Sequence, residues 1–278
     1  MRAFFCATEA RADKLTRWLV TAPPVLFLVV FFVLPALIMA AASLREPGPF
    51  GGLAPLAAQG LTLDAYRFVG EDPIYAWILA KSLLVAGLTT LLCLLLAYPL
   101  ALLISLSPRR RRDFMVLLVI LPFASNFLIR IYAWIMILGP LDLLYRSGAV
   151  VLGLVYVHLP FMILPLYTNL EKHDPALLEA AQDLGAGAWT RFRRVTWPLS
   201  LPGVLSGSAL VFIPVLGMFA VPELLGGTGD ILIGNLIKEQ FLDNRDWPLG
   251  ATLSLALTAA VLGVAALSAA AARRRRRP

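Results

Sequence analysis

Long apolar runs, separated by short charged or Gly/Pro-rich pieces, set the pattern of this chain. Six of them, residues 18–44, 75–106, 114–138, 148–167, 204–225 and 250–272, reach the ~20 residues that an α-helix needs to cross a bilayer. The pattern predicts an all-α, polytopic membrane protein with six transmembrane helices. The first run outlasts the ~7–15 apolar residues of a secretory signal, so it reads as a retained span. Residues 1–17 are then a cytoplasmic tail, 18–272 one six-span domain and 273–278 a basic cytoplasmic tail. No internal repeat or low-complexity linker divides that domain.

One stretch breaks the apolar rhythm without being terminal: Glu171 to Gly203, EKHDPALLEAAQDLGAGAWTRFRRVTWPLSLPG. Asp174 ahead of Pro175 predicts a helix start, because an acidic N-cap satisfies free backbone donors and proline is tolerated at the first helical position. The helix should run from Ala176 to Leu184. Gly185 and Gly187 can take positive φ and turn the chain after it. A second short helix, Ala188 to Val195, carries Arg191, Arg193 and Arg194 and should stop at Pro198 and Pro202. Ala180, Ala181 and Leu184 then form a small apolar face outside the lipid, which another protein can grip.

Composition supports the membrane reading: 59% hydrophobic and 15% charged residues, with a mean hydropathy of +0.80, are too apolar for a soluble domain. A net charge of +7 would suit nucleic acid, but the basic residues stand in blocks between spans. Arg2, Arg11, Lys14, Arg17, Arg109 to Arg112, Lys172, Arg191, Arg193, Arg194 and Arg273 to Arg277 make up 17 of the 24 Lys and Arg. The positive-inside bias puts both termini and the 171–203 loop in the cytoplasm, so the bilayer and not nucleic acid is the partner. Cys6 lies in the tail and Cys93 in a span, which offers no disulfide, and no Cys/His cluster suggests a metal or cofactor.

Polar groups inside spans are expensive and therefore informative. Arg130 in the third run costs roughly 2.5–3.5 kcal/mol at a helix centre on insertion scales, so it must face protein or water. Asn126, Arg130, Tyr132 and Trp134, with Glu223 near the outer end of the fifth run and Asp230 beyond it, are candidates for a translocation path. The bland alternatives are a structural arginine and solvated loop acids. His158 reads as a packing residue. Pro214, Pro222 and Glu223 predict a helix broken near its outer end. The connectors 45–73, with an amphipathic patch at 61–69, and 226–249 belong to the outer surface.

Glu179-Ala180-Ala181, three residues, Gly185, nine residues, then Val195-Thr196-Trp197-Pro198 resembles the E-A-A-x3-G-x9-I-x-L-P motif of permease subunits in binding-protein-dependent ABC importers. Val195 stands for Ile and Trp197 for Leu, with the spacing intact. Further segments are similar to the spermidine/putrescine branch, among them Asn126 to Tyr132, Gly153 to Tyr156, Leu159 to Met162, Leu232 to Asn235 and Arg245 to Pro248. The outer loop between Gly139 and Tyr145 is shorter than is usual there.

The resemblance implies a type I ABC importer permease architecture in a bacterial inner membrane. It implies that Glu179, Ala180, Ala181, Asp183, Leu184, Gly185 and Pro198 couple the chain to a separate ABC ATPase dimer. It also implies a second homologous permease, an extracytoplasmic substrate-binding protein, and polyamines or a similar small charged solute as cargo. Glu223 and Asp230 would pair with ammonium groups, and Tyr132 or Trp134 would add cation–π attraction. The chain is not expected to be an enzyme, since no G-x-x-x-x-G-K-S/T phosphate loop is present. Two rivals are an ion-gradient-driven secondary transporter and an intramembrane serine hydrolase using Ser206 or Ser208 with His158. The small-residue stretch GVLSGSAL around those serines is better explained by helix association.

Overall fold

The computed structural model describes residues 20–55 and 61–275; residues 1–17 and 276–278 of the expected tails lie outside the described residues. In chain order the helices are α1 (Val20–Ala42), α2 (Asp64–Glu71), α3 (Pro73–Leu106), α4 (Arg109–Ile120), α5 (Phe127–Leu138), α6 (Ser147–Leu170), α7 (Pro175–Asp183), α8 (Ala188–Leu216), α9 (Ala220–Leu225), α10 (Ile233–Lys238) and α11 (Trp247–Arg275). Five of these are long and apolar enough to cross a membrane, and α4 with α5 makes a sixth span if the bent pair counts as one. The chain divides into two compact units: Asp72–Lys238, and the residues up to Glu71 together with those from Glu239.

In the unit Asp72–Lys238, α3, α6 and α8 pack on one another. Helix α3 offers a buried stripe of small residues at helical spacing, Ser82, Ala86, Thr89, Cys93, Ala97 and Ala101. Small side chains let helix backbones approach, which is how helices associate where lipid supplies no hydrophobic drive. Gly203 and Gly207, four residues apart on α8, do the same against α6. A Cβ on Gly203 would lie 2.8 Å from Asn169 Cβ, and one on Gly207 2.8 Å from Met162 Sδ. Gly153 on α6 seats α9 in the same way, with Leu225 Cδ1 2.5 Å from where its Cβ would be. Ser206 is exposed, and its hydroxyl is taken up within its own helix. Ser206 Oγ donates to Pro202 O at 2.9 Å, while His158 is buried and its Nδ1 bonds Leu154 O at 2.8 Å within its own helix.

In the other unit, α11 packs against α1 and α2. The connector after α1 is tied down by backbone bonds: Thr62 N–H donates to Leu44 O at 2.8 Å and Gly52 N–H to Arg245 O at 2.8 Å. The amphipathic patch expected at 61–69 forms α2.

Three features depart from the pattern read in the sequence. First, the third run is not straight: the helix through Ala124 and the one starting at Phe127 meet at 91°. Pro122 sits in a tight 3-10 turn, Leu121–Ala124, and Asn126 caps a new helix, so the chain stops and restarts. Second, Pro198 and Pro202 do not end the helix after Ala188, which continues as α8 to Leu216. Its π turn, Phe192–Thr196, explains why: Trp197 N–H bonds Phe192 O, and the widened turn makes room for the Pro198 ring. α1 uses the same device, a π turn at Val29–Val33 two residues ahead of Pro35. Third, Gly187 has φ −65 and precedes α8 in an extended conformation, so Gly185 alone supplies the left-handed turn between α7 and α8. The expected break after Pro214 is present, with α8 ending at Leu216 and α9 starting at Ala220.

Candidate functional site

The 171–203 loop is built from local capping chemistry. Asp174 Oδ1 accepts from Ala176 N–H at 3.0 Å and Pro175 occupies the first turn, which fixes the start of α7. At the other end Gly185 has φ 78, Gly185 N–H donates to Gln182 O at 2.8 Å and Ala186 N–H to Ala181 O at 3.0 Å. These two bonds form a Schellman turn, which satisfies the last helical carbonyls and needs a left-handed residue where Gly185 stands. Helix α7 thus spans Pro175–Asp183, one residue off the expected bounds at each end.

Its surface divides into two faces. Glu179, Ala180, Asp183 and Leu184 are exposed, Leu184 to 88%, and Trp189 at the start of α8 to 71%. Leu178 and Ala181 are half-buried on the opposite side. Pro198 is exposed on α8, one turn beyond Arg194. The loop therefore presents a capped helix with uncovered apolar side chains, a form suited to insertion in a groove of another protein.

The path candidates do not form one cluster. Asn126 Oδ1 accepts from Leu128 N–H at 2.8 Å, so this residue shapes the restart of α5. Arg130 lies on the protein-facing side of α5, beside buried Ile131; its Nε and Nη1 are sealed from solvent without a hydrogen-bond acceptor. Trp134, one turn on, packs edge to face on Tyr156 with ring centroids 5.5 Å apart. Tyr132 points to the other side and is 54% exposed, along with Ile129 and Met136. Helix α9, which carries Glu223, packs on α5 and α6. Glu223 Oε1 accepts from Lys238 Nζ at 2.7 Å, so its charge is countered within the chain.

Asp230 is a correction. It is only 8% exposed and belongs to a clamp at the N-terminal ends of α3 and α6. Ser147 Oγ donates to its Oδ1, Gly227 N–H donates to its Oδ2 at 3.1 Å, and Lys81 Nζ lies 3.7 Å away while also donating to Gly229 O. Ile233 N–H adds a bond to Ser82 Oγ at 2.8 Å. An acid with these partners has no carboxylate to offer a cargo. Sequence reasoning passed over Lys81, Ser147, Arg112 and Glu171. A lysine inside the apolar run 75–106 was the available signal, because an intramembrane cation implies a nearby anion.

Comparison with known proteins agrees with this geometry. Residues 94–277 match the family described as "Binding-protein-dependent transport system inner membrane component". The spermidine/putrescine transport system permease protein PotB of Haemophilus influenzae is 41% identical over 251 residues, covering 84% of this chain and 85% of that one. Its Escherichia coli counterpart is 40% identical, covering 84% and 89%. The inner membrane ABC transporter permease protein YdcU of Escherichia coli is 31% identical over 224 residues, covering 70% and 71%. Among solved structures, a chain of a bacterial ABC transporter for alginate import, in complex with its pentasaccharide-bound periplasmic protein, matches with a TM-score of 0.71 at 17% identity, covering 96% of this chain and 98% of that one. A second alginate transporter structure gives 0.67 at 16% identity, covering 97% and 100%. These structural likenesses establish the all-α fold of an ABC importer permease. The helices that can cross a membrane, the family match and the chain-wide relatives together make this protein a multi-pass permease belonging to the inner membrane components of binding-protein-dependent transport systems.

Proposed function

We propose that the chain is one of two related permeases in a polyamine importer, with spermidine or putrescine as cargo. Around it stand an ATPase dimer on the cytoplasmic side and a substrate-binding protein on the outside. The observation that carries the cargo is the 40–41% identity to permeases named for spermidine and putrescine over 84% of the chain. The E-A-A loop carries the coupling role. In it Glu179, Ala180, Asp183 and Leu184 form the surface that meets the ATPase, Ala181 backs that surface from the half-buried side of α7, Gly185 holds the turn, and Pro198 lies where the loop joins its span. The clustering of basic residues on the 171–203 loop and both tails supports cytoplasmic termini.

A path formed between two permeases runs along a face that is exposed in one subunit alone. Tyr132 and its exposed neighbours on α5 suit that face, and Glu223 is the acid in the helix packed against it. Arg130 lies on the other side of α5 from Tyr132, so its guanidinium does not line this face. Trp134, edge to face on Tyr156, supports the fold of α5 in this reading.

The test is reconstitution of both permeases, the ATPase and the binding protein in proteoliposomes. Spermidine uptake should require ATP and the binding protein, and putrescine should compete while neutral amino acids do not. Uptake driven by an ion gradient without ATP would reject the ATP-driven reading, and failure of polyamines to compete would reject the cargo.

A further inference from the structure

Between α7 and the inner ends of α3 and α8 lies a cavity of about 600 Å³, lined by Leu102, Leu106, Leu178, Phe192 and Leu199 among others. Close-packed side chains transmit displacement because they cannot be compressed, and a void interrupts that route. Across this open cleft, a push on α7 reaches the spans chiefly through its chain ends and a few polar ties. Arg191 Nη1 donates to Gln182 Oε1 at 2.8 Å and joins α7 to α8. His173 Nε2 lies 3.2 Å from Leu199 O and joins the approach to α7 to the same helix. The third tie has a different destination: Arg112 Nη1, on α4, meets Glu171 Oε1 at 2.9 Å.

Glu171 is the residue that closes α6, three positions ahead of the Asp174 cap of α7. Arg112 sits in the first turn of α4, whose far end is the 91° bend leading to Arg130 and Tyr132. Arg112 is half-buried with its Nε sealed and lacking an acceptor, while Glu171 is more exposed, so the guanidinium has Glu171 as its anchor. A short charge-assisted bond in partly excluded water resists both stretching and sliding better than an apolar contact does.

We propose that the Arg112–Glu171 ion pair is a positioning contact of the transport cycle, passing motion of the docking helix into α4 and on to the bend of the third span. This rests on α7 being the ATPase-docking helix. Neither residue touches cargo or nucleotide, so the effect belongs in the number of molecules moved per ATP and not in the affinity for cargo.

The experiment uses the full complex of permease pair, ATPase and binding protein in proteoliposomes, with spermidine uptake and phosphate release read from the same vesicles. Arg112→Glu and Glu171→Arg should each lower spermidine moved per ATP about tenfold, inside the usual range of coupling between sites, with KM for spermidine unchanged. The double charge swap should recover most of the loss, and isosteric Glu171→Gln should lose less than Glu171→Arg. Single variants with the parent ratio, or a swap no better than the singles in fully assembled complex, would overturn the proposal. Gly185→Val, run alongside, separates the two levels. If it uncouples while the ion-pair variants do not, only the ion pair falls; if it leaves the ratio intact, the docking reading falls and takes this proposal with it.

Discussion

The two ends of the Asp72–Lys238 unit, outer and inner in the orientation proposed above, are held in opposite ways. At the outer end the 226–232 segment is bolted down: Asp230 collects Ser147, the Gly227 amide and Lys81, while Tyr145 N–H donates to Leu225 O at 3.0 Å. At the inner end α7 is well formed in itself but stands over a cavity, with Leu184 almost wholly uncovered. A chain that satisfies one end internally and leaves apolar side chains uncovered at the other has its free surface at α7. The contrast supports the proposal that the partner doing mechanical work attaches at α7. It also separates residues that hold the fold from residues that await a neighbour, although both groups are polar or exposed in the sequence.

The largest expected effect comes from breaking the bolted end. Asp230→Ala removes the counter-ion of Lys81 and the acceptor of two further bonds. It should destabilise the purified permease by about 2–3 kcal/mol, below the full cost of breaking a buried pair because Lys81 keeps some contact with water. Thermal unfolding in detergent, followed by tryptophan fluorescence, should show a clear drop in Tm. An unchanged Tm would mean that the clamp does not hold the outer loop.

Next in size is the strain at the inner turn. Gly185 has φ 78 and nothing within 4 Å of where a Cβ would stand, so Gly185→Ala tests backbone conformation without a clash. An L-residue in the left-handed region costs roughly 1–2 kcal/mol, and that cost falls on the end of α7. Global Tm should barely move. Hydrogen exchange of the amides of Gly185 and Ala186 should speed up instead, and unaltered protection there would remove the Schellman turn from the explanation of the loop.

The difference between the two ends also decides what could be read in the sequence. The bonds that make α7 span two to five residues: Asp174 to Ala176, Gly185 to Gln182, Ala186 to Ala181. Residue order alone specifies such contacts, and the helix was legible almost to its bounds. The partners of Asp230 include Ser147, 83 residues away, and only the packing of α9 and α3 on α6 brings Asp230, Ser147 and Lys81 together. An acid in a polar connector looks the same whether it meets solvent or a buried lysine. The spans were legible from length and hydropathy, but their internal geometry was not. The third run reads as one continuous span, because Pro122 and Asn126 do not by themselves fix a 91° turn, and Pro198 read as a stop because one extra residue in the preceding turn, which lets a helix pass a proline, has no sequence signature.

The smallest expected effect on the fold is the most telling for the comparison. Leu184 closes α7 and is 88% exposed, so Leu184→Ala discards side-chain area that water already covers. Such surface changes usually stay within about 0.5 kcal/mol, and Tm should be unchanged. Association with the ATPase should fall, because an apolar side chain seated in a partner's groove typically contributes more than about 1 kcal/mol when truncated. Binding of the detergent-solubilised permease pair to the ATPase, measured by fluorescence titration, reads this directly. A weaker complex with an unaltered Tm assigns Leu184 to the unfinished surface. An altered Tm with unaltered binding would instead make it part of the fold, and the inner end would then lose its contrast with the bolted outer one.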